Sequence, residues 1–390
     1  MKSLGIYIHV PFCLKKCRYC DFYSLAGEQQ GVIERYVSAL SAHLDEYALQ
    51  AKDYAVTSVY FGGGTPSLLS DKQIKALLKK IRSNYRLYKA AEISMEVNPA
   101  TVSPESLAGY RRAGVNRLSI GVQSFDDDDL RRIGRVHKAE DALETVTMAG
   151  KAGFNNISID LMFALPGQSL QTVIDNVNMA ASLEVDHVSL YGLKIEDGTP
   201  FWFERDTLPL PDEEEERRMY FTAAGLLESY GFKQYEISNF AKKGKMCRHN
   251  VRYWDCEDYL GFGPAAHSYF GGKRFSFKRD LGLYLDSFDP EKTAEEPLID
   301  EMIDIPYSSR VAEYVMLRFR LNVGVNTDTF LKRFGRSFEE MYLDRLRPYL
   351  ESGHIVKTPK GYAFSREGMY VSNFILSRVV DFDMVVPGTN

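Results

Sequence analysis

Six short apolar segments alternate with amphipathic helical segments in the first half of the chain, and this alternation is the strongest constraint on its fold. The predicted strands are LGIYIHV, VTSVYFG, EISMEV, NRLSIGV, NISIDLM and HVSLYGL. Their nearly continuous apolar character is typical of parallel strands, because helices cover both faces of such a sheet. The sequence therefore predicts an α/β fold of six βα units, a partial (β/α)6 TIM-like barrel.

Capping residues indicate where several of the intervening helices begin and end. Ser70 precedes the segment DKQIKALLKKIRSNY, and Ser103 precedes a helix with Pro104 at its first position. Gly114 and Gly153 are suited to end two helices. We assign the acidic runs at residues 126–129 and 211–218 to solvated helix starts, where carboxylates interact favourably with the helix dipole.

The pattern changes after about residue 290. Short helical segments are followed by HIVKTPKGYAFS, which predicts two short strands joined by a turn and hence a mostly helical, winged-helix-like module. We therefore divide the chain into a barrel domain at residues 1–290 and a C-terminal domain at residues 291–390. The whole chain carries a net charge of −5 and the C-terminal charges nearly balance, so we expect no nucleic-acid partner.

Three of the five cysteines, Cys13, Cys17 and Cys20, lie close together on the loop after the first predicted strand, where a βα barrel carries its chemistry. Three soft thiolates at this C-x3-C-x2-C spacing can each hold one iron of a cubic 4Fe-4S cluster and leave the fourth iron open to an outside ligand. Zinc is the alternative, but structural zinc takes four closed ligands, and no second ligand pair follows nearby. Asp21 stands where covalent c-type heme would need a histidine.

Polar or glycine residues also follow the next strands along the chain. Gly62, Gly63 and Gly64 come after the second strand and would let backbone groups approach a ligand, although a simple tight turn would also use them. The polar residues that follow are Glu96 and Gln123 at the ends of the third and fourth strands, Arg135 twelve positions after Gln123, and Asp160 near the end of the fifth strand. Any one of them alone would suit a helix cap or a salt bridge. Together they indicate one rim at the carboxyl ends of the strands.

The cysteine cluster resembles that of the radical S-adenosylmethionine (SAM) superfamily. In that superfamily the open iron binds the amino and carboxylate groups of SAM, and an electron from the cluster can cleave SAM to a 5′-deoxyadenosyl radical. Almost the whole chain is similar to the oxygen-independent coproporphyrinogen III dehydrogenase group and its relatives, through the motifs YIHVPFC, CRYCDF, FGGGTPS, EVNP, GVQSF, IDLMFALPGQ and YGL. The resemblance implies SAM contacts for Tyr7, Tyr19, Gly63, Gly64, Thr65, Glu96, Gln123, Arg135, Asp160 and Gly192.

Two features differ from the dehydrogenase. Phe22 stands where the dehydrogenase has a further cysteine, and only six residues precede Tyr7, where the dehydrogenase has a long N-terminal extension. Both features resemble the sister family, the heme chaperone HemW family. The segment CRHNVRYW, residues 247–254, contains a His-Asn-x-x-Tyr-Trp motif that also resembles this family and that the dehydrogenase lacks.

This motif is chemically suited to a porphyrin. His249 offers an imidazole to heme iron and Cys247 a thiolate, while Tyr253 and Trp254 offer flat apolar faces to a macrocycle. His267 is a second candidate for an axial iron ligand. A packed structural turn, whose aromatic rings fill the barrel mouth, is the alternative interpretation.

Two functions follow from these observations. The first is a heme chaperone that binds a 4Fe-4S cluster, SAM and heme and delivers heme to an apo-cytochrome or another respiratory heme protein; no catalytic residue is assigned. The alternative is an oxygen-independent coproporphyrinogen III dehydrogenase. Cysteine usage, the lack of a signal peptide and the lack of an apolar run of about 20 residues predict a cytoplasmic protein. Peripheral contact with the inner membrane face and a homodimer are both compatible with the sequence.

Overall fold

The computed structural model describes residues 1–292 and 296–382 and contains a large sheet with helices packed around it. Its strands are β1 Lys2–Val10, β2 Phe12–Cys13, β3 Leu25–Ala26, β4 Tyr54–Gly63, β5 Leu87–Val97, β6 Arg117–Gln123, β7 Ile157–Phe163, β8 His187–Gly192, β9 Lys233–Gln234, β10 Asn239–Ala241, β11 Tyr259–Phe262, β12 His267–Phe270, β13 Lys273–Phe277, β14 Ile299–Asp304, β15 Val325–Asn326, β16 Ile355–Thr358 and β17 Gly361–Phe364. All six predicted strands are present.

The six predicted strands lie side by side and parallel, in the order β1-β4-β5-β6-β7-β8. Strand β11 extends the parallel order on the other side of β1, and β12, β13 and β14 continue it as antiparallel strands. Strands β10 and β9 complete the opposite edge. Within the described ranges the sheet ends at β14 and β9 instead of closing, which confirms a partial barrel.

Helices pack against this sheet and connect its strands. They are α1 Gln30–Glu46, α2 Asp71–Asn84, α3 Pro104–Ala113, α4 Asp127–Arg132, α5 Ala139–Lys151, α6 Leu170–Ser182, α7 Pro200–Glu204, α8 Glu213–Ser229, α9 Arg248–Trp254, α10 Leu281–Ser287, α11 Tyr307–Arg318, α12 Thr327–Phe334, α13 Phe338–Glu351, α14 Arg366–Tyr370 and α15 Ser372–Val379, with short 3-10 turns at Pro66–Leu68 and Pro99–Thr101. Ser70 and Ser103 form the predicted caps, and Gly114 ends α3 with a φ of +117°.

Both acidic runs begin helices, as predicted. The Asp126 side chain accepts from the backbone N–H groups of Asp128 and Asp129 at the start of α4, and the Asp212 side chain accepts from Glu215 N–H at the start of α8. These caps satisfy backbone donors that have no partner within the helix. The carboxylates therefore serve local structure at these two places.

Burial of the strand side chains holds the barrel together. In β1 the side chains of Leu4, Ile6 and Ile8 are fully buried, as are their neighbours Val59 and Phe61 in β4. Each such side chain contributes roughly 1.5–3 kcal/mol by leaving water. Because the interior of the sheet is fixed by this packing, the loops at the carboxyl ends of the strands have a rigid base.

The C-terminal module has its own core and a three-stranded sheet in the order β15-β17-β16. The two strands predicted in HIVKTPKGYAFS are β16 and β17. The large sheet continues through β14 to Asp304, beyond the boundary predicted at residue 290, because β14 pairs with β13. Ion pairs between Arg274 and Glu313 and between Arg318 and Asp255 join the module to the barrel.

Candidate functional site

The three clustered cysteines lie on one loop between β1 and α1. Cys13 ends β2, while Cys17 and Cys20 follow before β3, and all three are partly exposed. The Thr65 hydroxyl is 3.5 Å from Cys13 Sγ, and Arg135 Nη1 is 3.6 Å from Cys17 Sγ. Donors at sulfur stabilise thiolates and tune the potential of a cluster that they hold. The loop therefore offers three thiolates with donors already directed at two of them.

Backbone hydrogen bonds fix this cysteine loop against the loop after β4. Gly64 N–H donates to Val10 O at 2.8 Å, and Thr65 N–H donates to Phe12 O at 2.6 Å. Arg18 N–H donates to Ile133 O at 3.0 Å, which ties the middle of the cysteine loop to the end of α4. The positions of the thiols are therefore set by the sheet and not by the loop alone.

Metal or cluster binding at the cysteine loop requires the thiols to lose their protons. Burial raises the pKa of Cys20 to about 11, and the nearby Cys17 and Cys13 thiols contribute to this shift, so assembly of a cluster has to release the proton. A structural zinc ion takes four closed ligands, whereas a cubic cluster takes one thiolate at each of three irons, and the loop offers three thiols.

The glycines after β4 form a tight cradle beside the cysteine loop. A Cβ on Gly64 would lie 2.6 Å from Phe12 O and 2.9 Å from Val10 O, which are backbone atoms that cannot rotate away. Gly63 has a φ of +106°, and a Cβ there would lie 2.6 Å from the His9 ring. Side chains are thus excluded at both positions, and the backbone is left open to the cavity that Gly63 and Gly64 line.

A cavity of about 400 Å³ joins the cysteine loop to the strand ends, and we call it the cofactor cavity. Its volume is in the range of small-molecule sites. Among its lining residues are predicted cluster and SAM residues: Cys13, Cys17, Cys20, Tyr19, Gly63, Gly64, Thr65, Glu96, Gln123, Arg135 and Asp160. Two predicted SAM residues lie outside this lining. Tyr7 lines a second cavity, and Gly192 packs beside the Phe163 ring.

Glu96 is the most perturbed carboxyl of the cofactor cavity. Burial, and to a lesser extent the nearby Asp160 carboxylate, raises its pKa to about 8. Its Oε1 accepts from the Tyr60 hydroxyl at 2.9 Å, and its Oε2 accepts from Gly63 N–H at 3.2 Å. The buried Arg117 guanidinium acts in the opposite direction and lowers this pKa, and the amino group of a bound ligand would add further donors to the carboxylate.

Gln123 and Arg135 have backbone and side-chain geometry that points to a ligand site. Gln123 has a φ of +68°, a conformation that costs a residue with a side chain of the order of 1 kcal/mol and that clusters at functional sites. Arg135 donates through Nη2 to Gly121 O at 2.5 Å while its Nη1 approaches Cys17. The guanidinium therefore bridges the β6 end and the cysteine loop.

Sequence reasoning did not assign several lining residues of the cofactor cavity, among them Tyr60, Arg117 and Asn250. Arg117 is 1% exposed, and its Nε has no hydrogen-bond partner in the described part of the chain. A buried donor without a partner is costly, so this group fits an anionic or carbonyl ligand in the cavity. The sequence feature that could have revealed Arg117 is its position inside the mostly apolar predicted strand NRLSIGV, because arginine is rarely buried.

A second, larger cavity of about 590 Å³ lies beside the first, and we call it the aromatic cavity. It lies between the barrel mouth and α11 of the C-terminal module, which contributes Glu313 and Leu317. Its aromatic lining residues are Tyr7, Phe22, Tyr23, Tyr253, Trp254, Tyr259 and Tyr269. Phe22 lines both cavities, so the end of the cysteine loop separates them.

Helix α9, which carries the His-Asn-x-x-Tyr-Trp motif, lies between the two cavities. Asn250 lines the cofactor cavity, whereas Tyr253 and Trp254 line the aromatic cavity. His249 lines neither: it is fully buried, its Nδ1 is 2.9 Å from Ser58 Oγ, and its Nε2 is 2.8 Å from the Tyr253 hydroxyl. Burial lowers the pKa of His249 to about 3, so the ring is neutral.

Cys247 is also away from both cavities. Its thiol is fully buried at the start of α9 and lies 3.7 Å from Glu92 Oε1. The same carboxylate accepts from the backbone N–H groups of Arg248 and His249 at 3.1 Å each, and so caps α9. Two of the four predicted heme residues, Tyr253 and Trp254, therefore line the aromatic cavity. Cys247 and His249 line neither cavity, because they are buried where α9 packs against the barrel core.

The chain matches two protein-family models. The Radical SAM superfamily model matches residues 7–180, and the HemN C-terminal domain model matches residues 309–371. The structure of coproporphyrinogen III oxidase (HemN) from Escherichia coli, a radical SAM enzyme, shares the fold with a TM-score of 0.85 at 24% identity, over 98% of this chain and 91% of that chain. The fold and the cysteine loop together define a radical SAM protein.

Curated relatives narrow the class to a family. The heme chaperone HemW of Bacillus subtilis (strain 168) is 37% identical over 383 residues, which is 96% of this chain and 97% of that protein. The heme chaperone HemW of Escherichia coli (strain K12) is 34% identical over 376 residues, 96% of this chain and 98% of that protein. The chain belongs to the HemW family.

The length and apolarity of the helices determine whether any of them can span a membrane. A membrane-spanning helix needs about 20 mostly apolar residues. Within residues 1–292 and 296–382, no helix is both long enough and apolar enough to span a membrane.

Proposed function

We propose that the protein is a heme chaperone that holds a 4Fe-4S cluster and SAM in the cofactor cavity and carries heme in the aromatic cavity. The observation that carries the proposal is the pair of adjacent cavities, one lined by three cysteines and the other by aromatic rings of the family motif. The curated relatives are named heme chaperones, which supports the same conclusion. We further propose that the acceptor is an apo-cytochrome or another respiratory heme protein.

The residues of the cofactor cavity have separate tasks in this proposal. Cys13, Cys17 and Cys20 would hold the cluster. Glu96 would accept a hydrogen bond from the SAM amino group, and Arg117 offers a donor to a carboxylate or carbonyl oxygen. When bound, the cluster and SAM supply one-electron chemistry, and the protein binds, orients and shields them.

The function is tested with one anaerobic sample. The reconstituted protein is assayed for heme binding and, with SAM and a reductant, for conversion of coproporphyrinogen III. We expect one heme bound per chain and no porphyrinogen consumed, followed by heme transfer to an apo-cytochrome. Consumption of coproporphyrinogen III would instead support the dehydrogenase, whose fold this chain shares with HemN.

SAM affinity is expected to depend on pH through Glu96. Because burial and then Asp160 raise the pKa of Glu96 to about 8, the carboxyl is protonated at lower pH and must lose its proton to accept a hydrogen bond from the SAM amino group. Affinity should therefore rise about tenfold between pH 6 and pH 7 and level off above pH 8. Calorimetric titration with SAM across this pH range measures the affinity.

The control for this pH dependence is Glu96→Gln, which cannot ionise and retains an acceptor for the Tyr60 hydroxyl. The variant should bind SAM more weakly at pH 8, and its affinity should hardly change with pH. An equally steep pH dependence in Glu96→Gln would mean that another group controls binding.

A further inference from the structure

The aromatic cavity brings together parts of the chain that are distant in sequence. Tyr7 and His9 come from β1, His267 and Tyr269 from β12, and Leu317 from α11 of the C-terminal module. The cavity is larger than the cofactor cavity, at about 590 Å³ against about 400 Å³. It is therefore a separate site, and its floor and walls are fixed by both parts of the molecule.

The lining suits a flat apolar ligand. Tyr253 packs edge to face against Tyr259 with ring centroids 4.6 Å apart, and the Trp254 ring is stacked against the Arg320 guanidinium at 4.4 Å. These contacts hold the rings in fixed orientations at little further entropic cost. A rigid set of aromatic faces with a metal ligand among them is the chemistry that recognises a metalloporphyrin.

Two histidines line the aromatic cavity, and only one has free nitrogens. His9 is nearly buried, with Nδ1 at 3.2 Å from the Tyr7 hydroxyl and Nε2 at 2.8 Å from Tyr23 O. His267 on β12 is exposed, and within the described residues no hydrogen bond engages its ring. Together with the buried His249, this leaves His267 as the imidazole that can reach an iron in the cavity.

We propose that the aromatic cavity is the heme site and that His267, in place of His249, is the axial ligand of the heme iron. The inference rests on the proposed function, since it names the site at which the carried heme is held. His249 is then a positioning residue: its Nε2 fixes the Tyr253 hydroxyl and thereby the aromatic wall of the cavity.

Charges of both signs surround His267: Arg274, Glu301, Asp300 and Arg279 all interact electrostatically with its imidazole. Arg274 is bound to Glu313 by a two-point ion pair at 2.7 and 3.0 Å. Arg279 at the rim is 59% exposed and binds Asp21 through Nη2, at 3.6 Å from the carboxylate and 2.7 Å from the backbone carbonyl. Its other guanidinium N–H groups would suit a heme propionate.

The test is a hemin titration of the full-length, cluster-loaded protein under anaerobic conditions, followed by the Soret band and by electron paramagnetic resonance. The variants are His267→Gly and His249→Ala, and His354→Ala is the matched control because this histidine lies outside the cavity, beside Ser352. Circular dichroism and iron content verify that each variant is folded and loaded. Imidazole is then added to His267→Gly.

We expect His267→Gly to lose about tenfold or more in hemin affinity and to lose the histidine-ligated spectrum. Added imidazole should restore that spectrum, because it replaces the missing ligand. His249→Ala should keep the histidine-ligated spectrum but bind hemin more weakly, because the Tyr253 hydroxyl loses its contact with the His249 ring. His354→Ala should match the unmodified protein in spectrum and affinity.

Two results would overturn the assignment. A normal spectrum and affinity in His267→Gly would remove His267 as the ligand, and loss of the spectrum in His249→Ala alone would return the ligand to the family motif. In both cases the chaperone function would stand. Absence of hemin binding by the unmodified protein would instead overturn the proposed function itself, so the two failures are distinguishable.

Discussion

Replacement of Cys17 by alanine is expected to abolish the iron–sulfur chromophore completely. Cys17 Sγ is one of three thiolates on the loop, and Arg135 Nη1 lies 3.6 Å from it. With two thiolates left, a cubic cluster has two unliganded irons and cannot be retained. Iron and sulfide after anaerobic reconstitution should fall from about four of each per chain to background.

The fold should survive the loss of Cys17, because the side chain is partly exposed on a loop and lies outside the hydrophobic core. The free energy of unfolding of the cluster-free protein should change by no more than about 0.5 kcal/mol. Cys256→Ala is the matched control: this cysteine lines the aromatic cavity and should leave the iron content unchanged. Full iron and sulfide in Cys17→Ala would show that the ligand set is wrong.

Replacement of Gly64 by alanine is expected to disrupt the cofactor cavity on the side formed by the loop after β4. The added Cβ would lie 2.6 Å from Phe12 O, and Gly64 N–H already donates to Val10 O, so the two loops cannot separate without losing a hydrogen bond. Crowding of this kind costs about 1–3 kcal/mol of stability. SAM affinity should fall about tenfold or more, measured by calorimetry on the cluster-loaded protein.

Gly150→Ala is the matched control for Gly64→Ala. Gly150 is exposed in α5, and nothing lies within 4 Å of the Cβ that alanine would add. This substitution should stabilise the protein by about 0.5–1 kcal/mol, because alanine loses less backbone entropy in a helix. If Gly64→Ala bound SAM as tightly as Gly150→Ala, the glycine loop would have no part in the cofactor cavity.

The two cavities give Phe22 a role that its sequence position alone did not suggest. Its ring is 64% exposed and lines both cavities at the end of the cysteine loop. Helix α9 also borders both cavities, through Asn250 on the cofactor cavity and Tyr253 on the aromatic cavity. The two cavities are therefore adjacent and share the Phe22 side chain.

The sequence by itself determined the barrel and most of the cofactor cavity. Apolar runs predicted the six parallel strands, and local capping residues predicted where α2, α3, α4 and α8 begin. Residues at successive strand ends had to meet, because parallel strands bring their carboxyl ends to one edge of the sheet. This rule accounts for Glu96, Gln123 and Asp160 on β5, β6 and β7, whereas Arg135 follows α4 and reaches the cavity through its contacts with Gly121 and Cys17.

The tertiary structure decided the features that depend on contacts between distant segments. The sequence could not show that His249 is enclosed by Ser58 and Tyr253, nor that Glu92 from β5 caps helix α9. Nor could it predict that α11 would close a cavity over His267. A motif specifies which side chains are present, but burial and hydrogen bonding to remote strands decide which of them remain free to bind a ligand.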